Sequence, residues 1–433
     1  MTPHEAQGAI PLYALVRSAA AVVLVPIVLF LWQRAGREPG GRGVAGFRLI
    51  ASFIVVAFGA VQLAVIAANL RHTQEFDFMA FWIWGRVAAQ GRDLYDLANY
   101  PEFMREFPLT EAFRQEAIAT GFLYPPQTML LFAPLGFFGV KTALTLWYGL
   151  HVAALIANIV LIGRVFFPDR GRDGLLLGAA LLLMLPATSN TFRFGQTNEL
   201  TLLFLLLLWR DLDRPRGGVW LALAPVVKPY LALLWLFPVL ARRWRMLGVF
   251  FATTLAVALV TMALFGADVF VRYRAAHPES HYQGFVFTQI MNQSLLATIL
   301  RWRHLGSPPP GFLEPTYVVI SALVMLVTLG LTFARGRARA PWAVTLLLGA
   351  ALIVAPGTLQ HYHLMLIAPM AQLWKERGSV PGGAFAAGAL VTGIYALCLY
   401  PHGALIFWAF VLVWTFAVAR ALAPAPETAA ARG

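Results

Sequence analysis

The constraint that dominates this chain is a succession of long apolar blocks separated by short arginine-bearing loops. Residues 47–70 and 142–166 each contain a single charge, Arg48 and Arg164, at one edge of a largely apolar run, and 246–267 and 315–334 contain none. A bilayer core of about 30 Å is crossed by roughly 20 helical residues. Inside it every backbone amide must be satisfied locally, which leaves helices for blocks of this length. Over 433 residues, 59% are apolar, 12% are charged and the mean hydropathy is +0.70. A water-soluble fold carries about twice that charge, so the sequence specifies an all-α polytopic membrane protein.

Apolar blocks suited to crossing fall at 11–32, 47–70, 142–166, 246–267, 315–334, 383–400 and 404–422, with shorter ones at 174–189, 198–210, 341–356 and 361–374. Block 218–241 is interrupted by Pro225 and Pro229 around Lys228 and reads as two short helices meeting at Lys228–Pro229. Block 127–140 reads as one helix dipping into the membrane from one side. Counting both half-helices, the reading is about thirteen membrane or half-membrane helices. The run 11–32 is long enough to span, and no A-x-A-like cleavage site follows it, so a cleavable signal peptide is not expected.

The net charge of +13 would suggest nucleic acid in a soluble protein. Here 20 of the 33 basic residues cluster in loops that one topology places on the cytoplasmic side, with the N-terminus outside. The charge is therefore a topology signal, and nucleic acid is not an expected partner. Cys398 stands alone, which excludes an internal disulfide. Neither a Walker A motif nor a GxGxxG following a strand is found, so ATP-driven pumping and a nucleotide-binding domain are disfavoured. No histidine–carboxylate pattern has metal-ligand spacing, so no metal is expected.

The organisation that follows has an N-terminal helix and basic loop over 1–46, and a module over 47–245 containing the outer loop 71–126. A second module spans 246–422 with the outer loop 267–315, and a disordered tail covers 423–433. The first loop carries eight of the twenty acidic residues among aromatics, which predicts short amphipathic helices at the interface. Asp77, ringed by Phe76, Phe78, Phe81, Trp82 and Trp84, is a carboxylate whose desolvation would suit a general base. Its plainer reading is a helix cap, and Glu75 competes with it.

Other polar groups stand out against the apolar background. Gly91-Arg92-Asp93-Leu94-Tyr95-Asp96 reads as a turn, and Tyr124-Pro125-Pro126 as a helix start. Arg193-Phe194-Gly195-Gln196-Thr197-Asn198-Glu199 offers donors for a phosphate or sugar, or is a solvated loop. Lys228 is an ionisable group inside an apolar run, a functional-site hypothesis by default, with snorkelling as the alternative. Asn292-Gln293-Ser294 and Gln360-His361-Tyr362-His363 complete the set.

Taken in order, Asp77-Phe78, Gly91–Asp96, Tyr124-Pro125-Pro126, Gly195-Gln196-Thr197-Asn198, Lys228-Pro229, Asn292-Gln293-Ser294 and His361-Tyr362-His363 resemble the polytopic GT-C glycosyltransferases. The series is most similar to glycosyltransferase family 87, the polyprenol-phosphate-mannose-dependent mannosyltransferases. The resemblance covers about residues 47–400, and helix 11–32 precedes the helix that starts the family's fold. It implies a GT-C fold in the bacterial inner membrane with its site facing the periplasm. It also implies inverting transfer of a hexose, mannose by family default, from a polyprenyl-phosphate sugar to a lipid or glycan acceptor, with no cofactor beyond that donor. Asp77 would be the general base. Lys228, Arg193, His361 and His363 would meet the donor phosphate, and Tyr124, Gln196, Asn198, Asn292 and Gln293 the sugar or acceptor. The competing classes are a transporter or flippase of a lipid-linked sugar, and a non-catalytic envelope-assembly protein.

Overall fold

The computed structural model describes residues 12–37, 41–72, 76–105, 124–276, 292–303, 305, 314–376 and 405–423. The expected helix 383–400, Glu75 and the tail from Pro424 lie outside the described residues. Those described are helical, apart from turns and one isolated antiparallel bridge between Asn292 and Leu359.

Fifteen α-helices of eight or more residues frame the described residues. They are α1 (Leu12–Arg37), α2 (Arg42–His72), α3 (Phe76–Ala89), α4 (Val140–Phe166), α5 (Gly171–Met184), α6 (Pro186–Phe194), α7 (Asn198–Arg210) and α8 (Gly217–Val227), followed by α9 (Trp244–Phe265), α10 (Val269–Ala276), α11 (Leu295–Trp302), α12 (Pro315–Arg335), α13 (Ala340–Val354), α14 (Ile367–Lys375) and α15 (Leu405–Leu422). Among the described residues α2, α4, α9 and α12 are long and apolar enough to cross a membrane, and the bent pair α5–α6 makes a fifth candidate. Among the described residues, Gly217–Val227, Ala340–Val354 and Phe407–Leu422 are shorter apolar helices.

Prolines decide where several of those blocks break. The expected span 174–189 ends at Leu185, which takes an extended conformation because the Pro186 ring excludes a helical residue before it. The chain restarts as α6 after a bend of 62°. Block 218–241 divides as the sequence predicts: α8 stops at Val227, Lys228 is extended, and Pro229–Trp235 continues as a 3-10 helix. Block 127–140 differs from the expected single helix. It forms a 3-10 turn at Pro126–Thr128, an α-turn at Met129–Phe132 and a 3-10 turn at Ala133–Phe137, with Pro126 and Pro134 starting two of the three.

Close backbone approaches hold these pieces. Gly85 of α3 faces Gly136: a Cβ on Gly136 would lie 2.1 Å from the Gly85 carbonyl oxygen. Trp82 Nε1 donates to the Phe138 carbonyl at 3.0 Å and Arg86 Nη1 to the Gly136 carbonyl at 2.8 Å. Helix α3 was expected to lie at the interface, yet Phe78, Phe81, Trp82 and Ile83 are all buried within the bundle. The Phe78, Phe81 and Trp82 rings are too large to leave unpacked when the 126–137 turns and α4 offer an apolar wall. At the centre of the other half, α13 is buried on every face between α12, α15 and the 229–235 turns, as a helix apolar all round should be.

Helices α7 and α8 are antiparallel neighbours whose shared polar end holds Asn198 and Lys228. The 13 residues of α7 place that end about 20 Å from the arginine-rich turn 210–217.

Candidate active site

Asp77 sits in the first turn of α3, where a carboxylate complements the helix dipole. Aromatic packing orients that helix. Phe81 stacks on Phe132 at 4.2 Å between centroids, and Trp147 packs edge-on against Phe81 at 6.1 Å. Asp77 itself is half-buried at the edge of this cluster.

Its partner comes from the turn between α6 and α7. Helix α6 ends at Gly195, which adopts φ +65°, the left-handed conformation that a glycine enters without steric cost. Any Cβ there would also lie 2.7 Å from Phe78 Cβ. Trp147 Nε1 donates to the Gly195 carbonyl at 2.8 Å, Tyr148 Oη to the Phe192 carbonyl at 3.0 Å, and Asn69 Nδ2 to Tyr148 Oη at 2.6 Å. The turn is thereby pressed against α3, and Gln196 Nε2 donates to Asp77 Oδ2 at 2.8 Å.

The other end of the same amide accepts a bond from Lys228 Nζ at 2.9 Å. Lysine reaches it because Pro229 forces Lys228 out of the helix, at φ −138° and ψ 99°. Lys228 is 1% exposed, and its ammonium lies 3.4 Å from Tyr362 Oη and 4.5 Å from the Tyr362 ring centroid. Snorkelling to water does not occur. A lysine this deep is costly unless an anion joins it. Burial pushes the Asp77 carboxyl above its ordinary range, against the Gln196 hydrogen bond and the Lys228 charge, which pull it down.

Tyr362 and Tyr230 were not singled out from sequence as site residues. Their rings stack at 5.0 Å, and Tyr230 Oη donates to Met365 Sδ at 2.9 Å. Tyr362 sat in view between two histidines. What marks it is only its place beneath Lys228. His361 is fully buried, T-shaped against Tyr362 and within electrostatic range of Lys228; His363 is equally buried on the same 3-10 segment. Tyr124 packs its ring on Phe81 and Trp84 and lies within range of Tyr230.

Other expected site residues stand elsewhere. The Arg193 guanidinium lies over the Phe194 ring at 5.4 Å. Asn198 Nδ2 donates to Thr191 Oγ1 at 3.0 Å, closing the α6–α7 turn. The Asn292 and Gln293 amides meet backbone: Asn292 Nδ2 donates to the Pro356 carbonyl at 2.8 Å, and Gln293 Oε1 accepts from the Phe407 amide at 3.3 Å. With Gln293 N donating to the Thr358 carbonyl at 2.7 Å, they hold the strand-like piece that leads into Gln360–Leu366. The turn reading of 91–96 holds: Gly91 has φ +66° and Asp93 Oδ1 accepts from the Tyr95 amide at 3.0 Å.

Asp77, Gln196, Lys228 and Tyr362 thus form one continuous polar line in an aromatic setting, with a half-buried carboxylate at one end and a buried cation between Gln196 and Tyr362. Such a line can take a proton at Asp77 and stabilise an anion beside Lys228.

The profile of glycosyltransferase family 87 matches residues 122–356, a stretch that contains Gln196 and Lys228 and begins after Asp77. An alpha-(1->3)-arabinofuranosyltransferase of Mycobacterium tuberculosis is 33% identical over 135 residues, 29% of this chain and 30% of that protein. The same-named protein of a second strain matches identically. The chain thus spans under a third of the length of the curated relatives it matches. No solved structure gives a significant match.

Proposed function

The chain belongs to glycosyltransferase family 87, and we propose that it transfers a sugar from a polyprenyl-phosphate donor to a hydroxyl of a lipid or glycan acceptor, inverting the anomeric carbon. The proposed setting is the periplasmic side of a bacterial inner membrane. The observation that carries this reading is the buried Lys228 ammonium, joined through Gln196 to a half-buried carboxylate.

In the proposed step Asp77 takes the proton of the acceptor hydroxyl as its oxygen bonds to the anomeric carbon. The bond from that carbon to the donor phosphate oxygen breaks, and polyprenyl phosphate leaves with the electron pair. Negative charge develops on the phosphate, where Lys228 supplies a preplaced cation. His361, buried within range of Lys228, and His363 of the same 3-10 segment are assigned as further donors to that phosphate, with Arg193 at its outer edge. Gln196 holds base and cation in register. Tyr124 and Asn198 are assigned to the sugar or acceptor, while Asn292 and Gln293 act by seating the segment that carries Tyr362. Inversion needs one essential carboxylate and no covalent enzyme intermediate, in contrast to the paired carboxylates of retaining glycosidases. The lipid-linked sugar is the only cosubstrate the step requires.

Mannose is the sugar implied by the resemblance, and arabinofuranose is the sugar named in the Mycobacterium tuberculosis relative. The test therefore offers both. Purified protein in lipid nanodiscs is incubated with labelled polyprenyl-phosphate mannose or polyprenyl-phosphate arabinose and a membrane lipid extract, and the labelled product is identified. The expected result is a new glycosidic bond from one donor, with Asp77→Asn slower by at least about 100-fold. Full transfer by Asp77→Asn would remove the base assignment. Label that crosses a proteoliposome membrane with no new bond would make the protein a transporter.

A further inference from the structure

The end of the bundle remote from Asp77 is one surface built from three turns. Arg243 Nη1 donates to the Leu212 carbonyl at 2.6 Å and Nη2 lies 2.8 Å from Asp213 Oδ1, tying turn 241–243 to turn 210–217. A Cβ on Gly336 would lie 3.3 Å from Ala241 Cβ, and the Arg242 guanidinium sits over the Phe333 ring at 5.4 Å, which brings in turn 335–339.

The carboxylates of this surface are already engaged. Asp211 meets Arg210, Arg214 and Arg216, and Asp213 meets Arg243. Arg242, Arg245, Arg335 and Arg337 are exposed and have no carboxylate partner among the described residues. Arg242 also holds φ +55°, a conformation that costs a non-glycine residue free energy and turns its side chain toward Phe333.

The same surface carries the aromatics of a membrane boundary. Trp244 is 63% exposed and Phe333 59%. Beyond them, α9 presents Phe251 and Leu255 outward, and α12 presents Leu326 and Leu323. Exposed tryptophan at the end of an apolar exposed helix marks the headgroup level. The four arginines without a carboxylate partner lie at that level, where phosphodiesters of the surrounding leaflet are the nearest anions.

We propose that this four-arginine face binds anionic phospholipid, its headgroups on Arg242, Arg245, Arg335 and Arg337 and its acyl chains along α9 and α12. Topology alone requires basic loops, but it does not require three of them to converge with their acidic neighbours already neutralised. An acidic soluble protein is the less suited occupant, because the patch borders directly on lipid-facing helix surface. The proposal does not depend on the catalytic reading.

The test is electron spin resonance of the full protein in phosphatidylcholine vesicles, comparing immobilisation of spin-labelled phosphatidylglycerol and spin-labelled phosphatidylcholine. The expected preference for phosphatidylglycerol is about threefold or more at low salt, weakening as salt rises. The combined variant Arg242→Gln/Arg245→Gln/Arg335→Gln/Arg337→Gln should bring it close to one. Arg164→Gln/Arg172→Gln, at exposed basic positions at the end of α4 and the start of α5, should leave it unchanged. If the combined variant does not fold, Arg245→Gln and Arg337→Gln singly should each lower the preference. A wild-type protein indifferent to the headgroup overturns the proposal and reassigns the face to an acidic protein. So does a folded combined variant that keeps its preference.

Discussion

Asp77 and Lys228, 151 positions apart in the chain, are joined through a single amide: Gln196 donates to the carboxylate at 2.8 Å and accepts from the ammonium at 2.9 Å. A direct ion pair would quench both groups. With the amide between them, the carboxylate stays free to accept a proton at Oδ1 and the ammonium keeps capacity for an anion.

Removing the spacer should therefore be more damaging than its uncharged chemistry suggests. Gln196→Ala is expected to lower kcat by about 10- to 100-fold through misplaced base and cation, with the protein still folded. Single-turnover rates with saturating donor would check this, and an unchanged rate would show that the amide has no positioning role.

The pH dependence follows from the elevated Asp77 carboxyl. With Asp77 as the proposed base, transfer requires its ionised form, so the rate should fall as pH drops through a value above the usual carboxylate range near 4. Gln196 and Lys228 both oppose the elevation, so Lys228→Met should move this acidic limb to higher pH while lowering the rate. A carboxyl elevated in the fold binds its proton more tightly than in the unfolded chain. Its contribution to stability therefore declines as pH rises from the unfolded value through the folded one. Asp77→Asn should consequently melt at or above the wild-type temperature at neutral pH, and a clear loss of stability would contradict this sign.

Two glycine positions separate site geometry from folding. Gly195→Ala places a Cβ 2.7 Å from Phe78 Cβ at φ +65°. It should shift the α6–α7 turn and cost activity, together with about 1–3 kcal/mol of stability. Gly136→Ala meets backbone at 2.1 Å and cannot relax through a side chain, so it should abolish folded expression. Gly139→Ala, with open space around it, is the matched control and should express normally. Detergent-solubilised yield and melting temperature report all three.

The remote end makes its own prediction. The Asp211 side chain has no exposed surface. Burial alone would raise its carboxyl, but hydrogen bonds from Arg210, Arg216 and Trp220 hold it down at about 2. A depressed carboxyl stabilises the fold above the unfolded value near 4, and the stabilisation is lost as pH falls toward 2. Asp211→Asn should cost about 1–3 kcal/mol at neutral pH, toward the lower end because the arginines face solvent. The deficit should shrink on acidification, as thermal melts across pH would show.

How far the chain could be read before folding differs from residue to residue. Asp77 was visible because a carboxylate among five aromatics has no plain place in an apolar sequence. Lys228 was visible because lysine and two prolines interrupt an apolar block. The break at Leu185–Pro186 was equally available from Pro186, but the surrounding hydropathy masked it. Asn292 and Gln293 carry the same amides as Gln196 and looked as suited to a sugar. The fold engages them with the Pro356 carbonyl and the Phe407 amide.

Local chemistry along the chain settled the apolar spans, the proline breaks and the residues too polar for their surroundings, since solvation and backbone sterics act within a few residues. Which amide meets which charge was settled only when Gly195 closed on Phe78 and the 360–366 turn was seated by Asn292 and Gln293. Those contacts join positions more than 60 residues apart. Their geometry depends on how helices pack against one another, and packing has no local signature for a sequence to display.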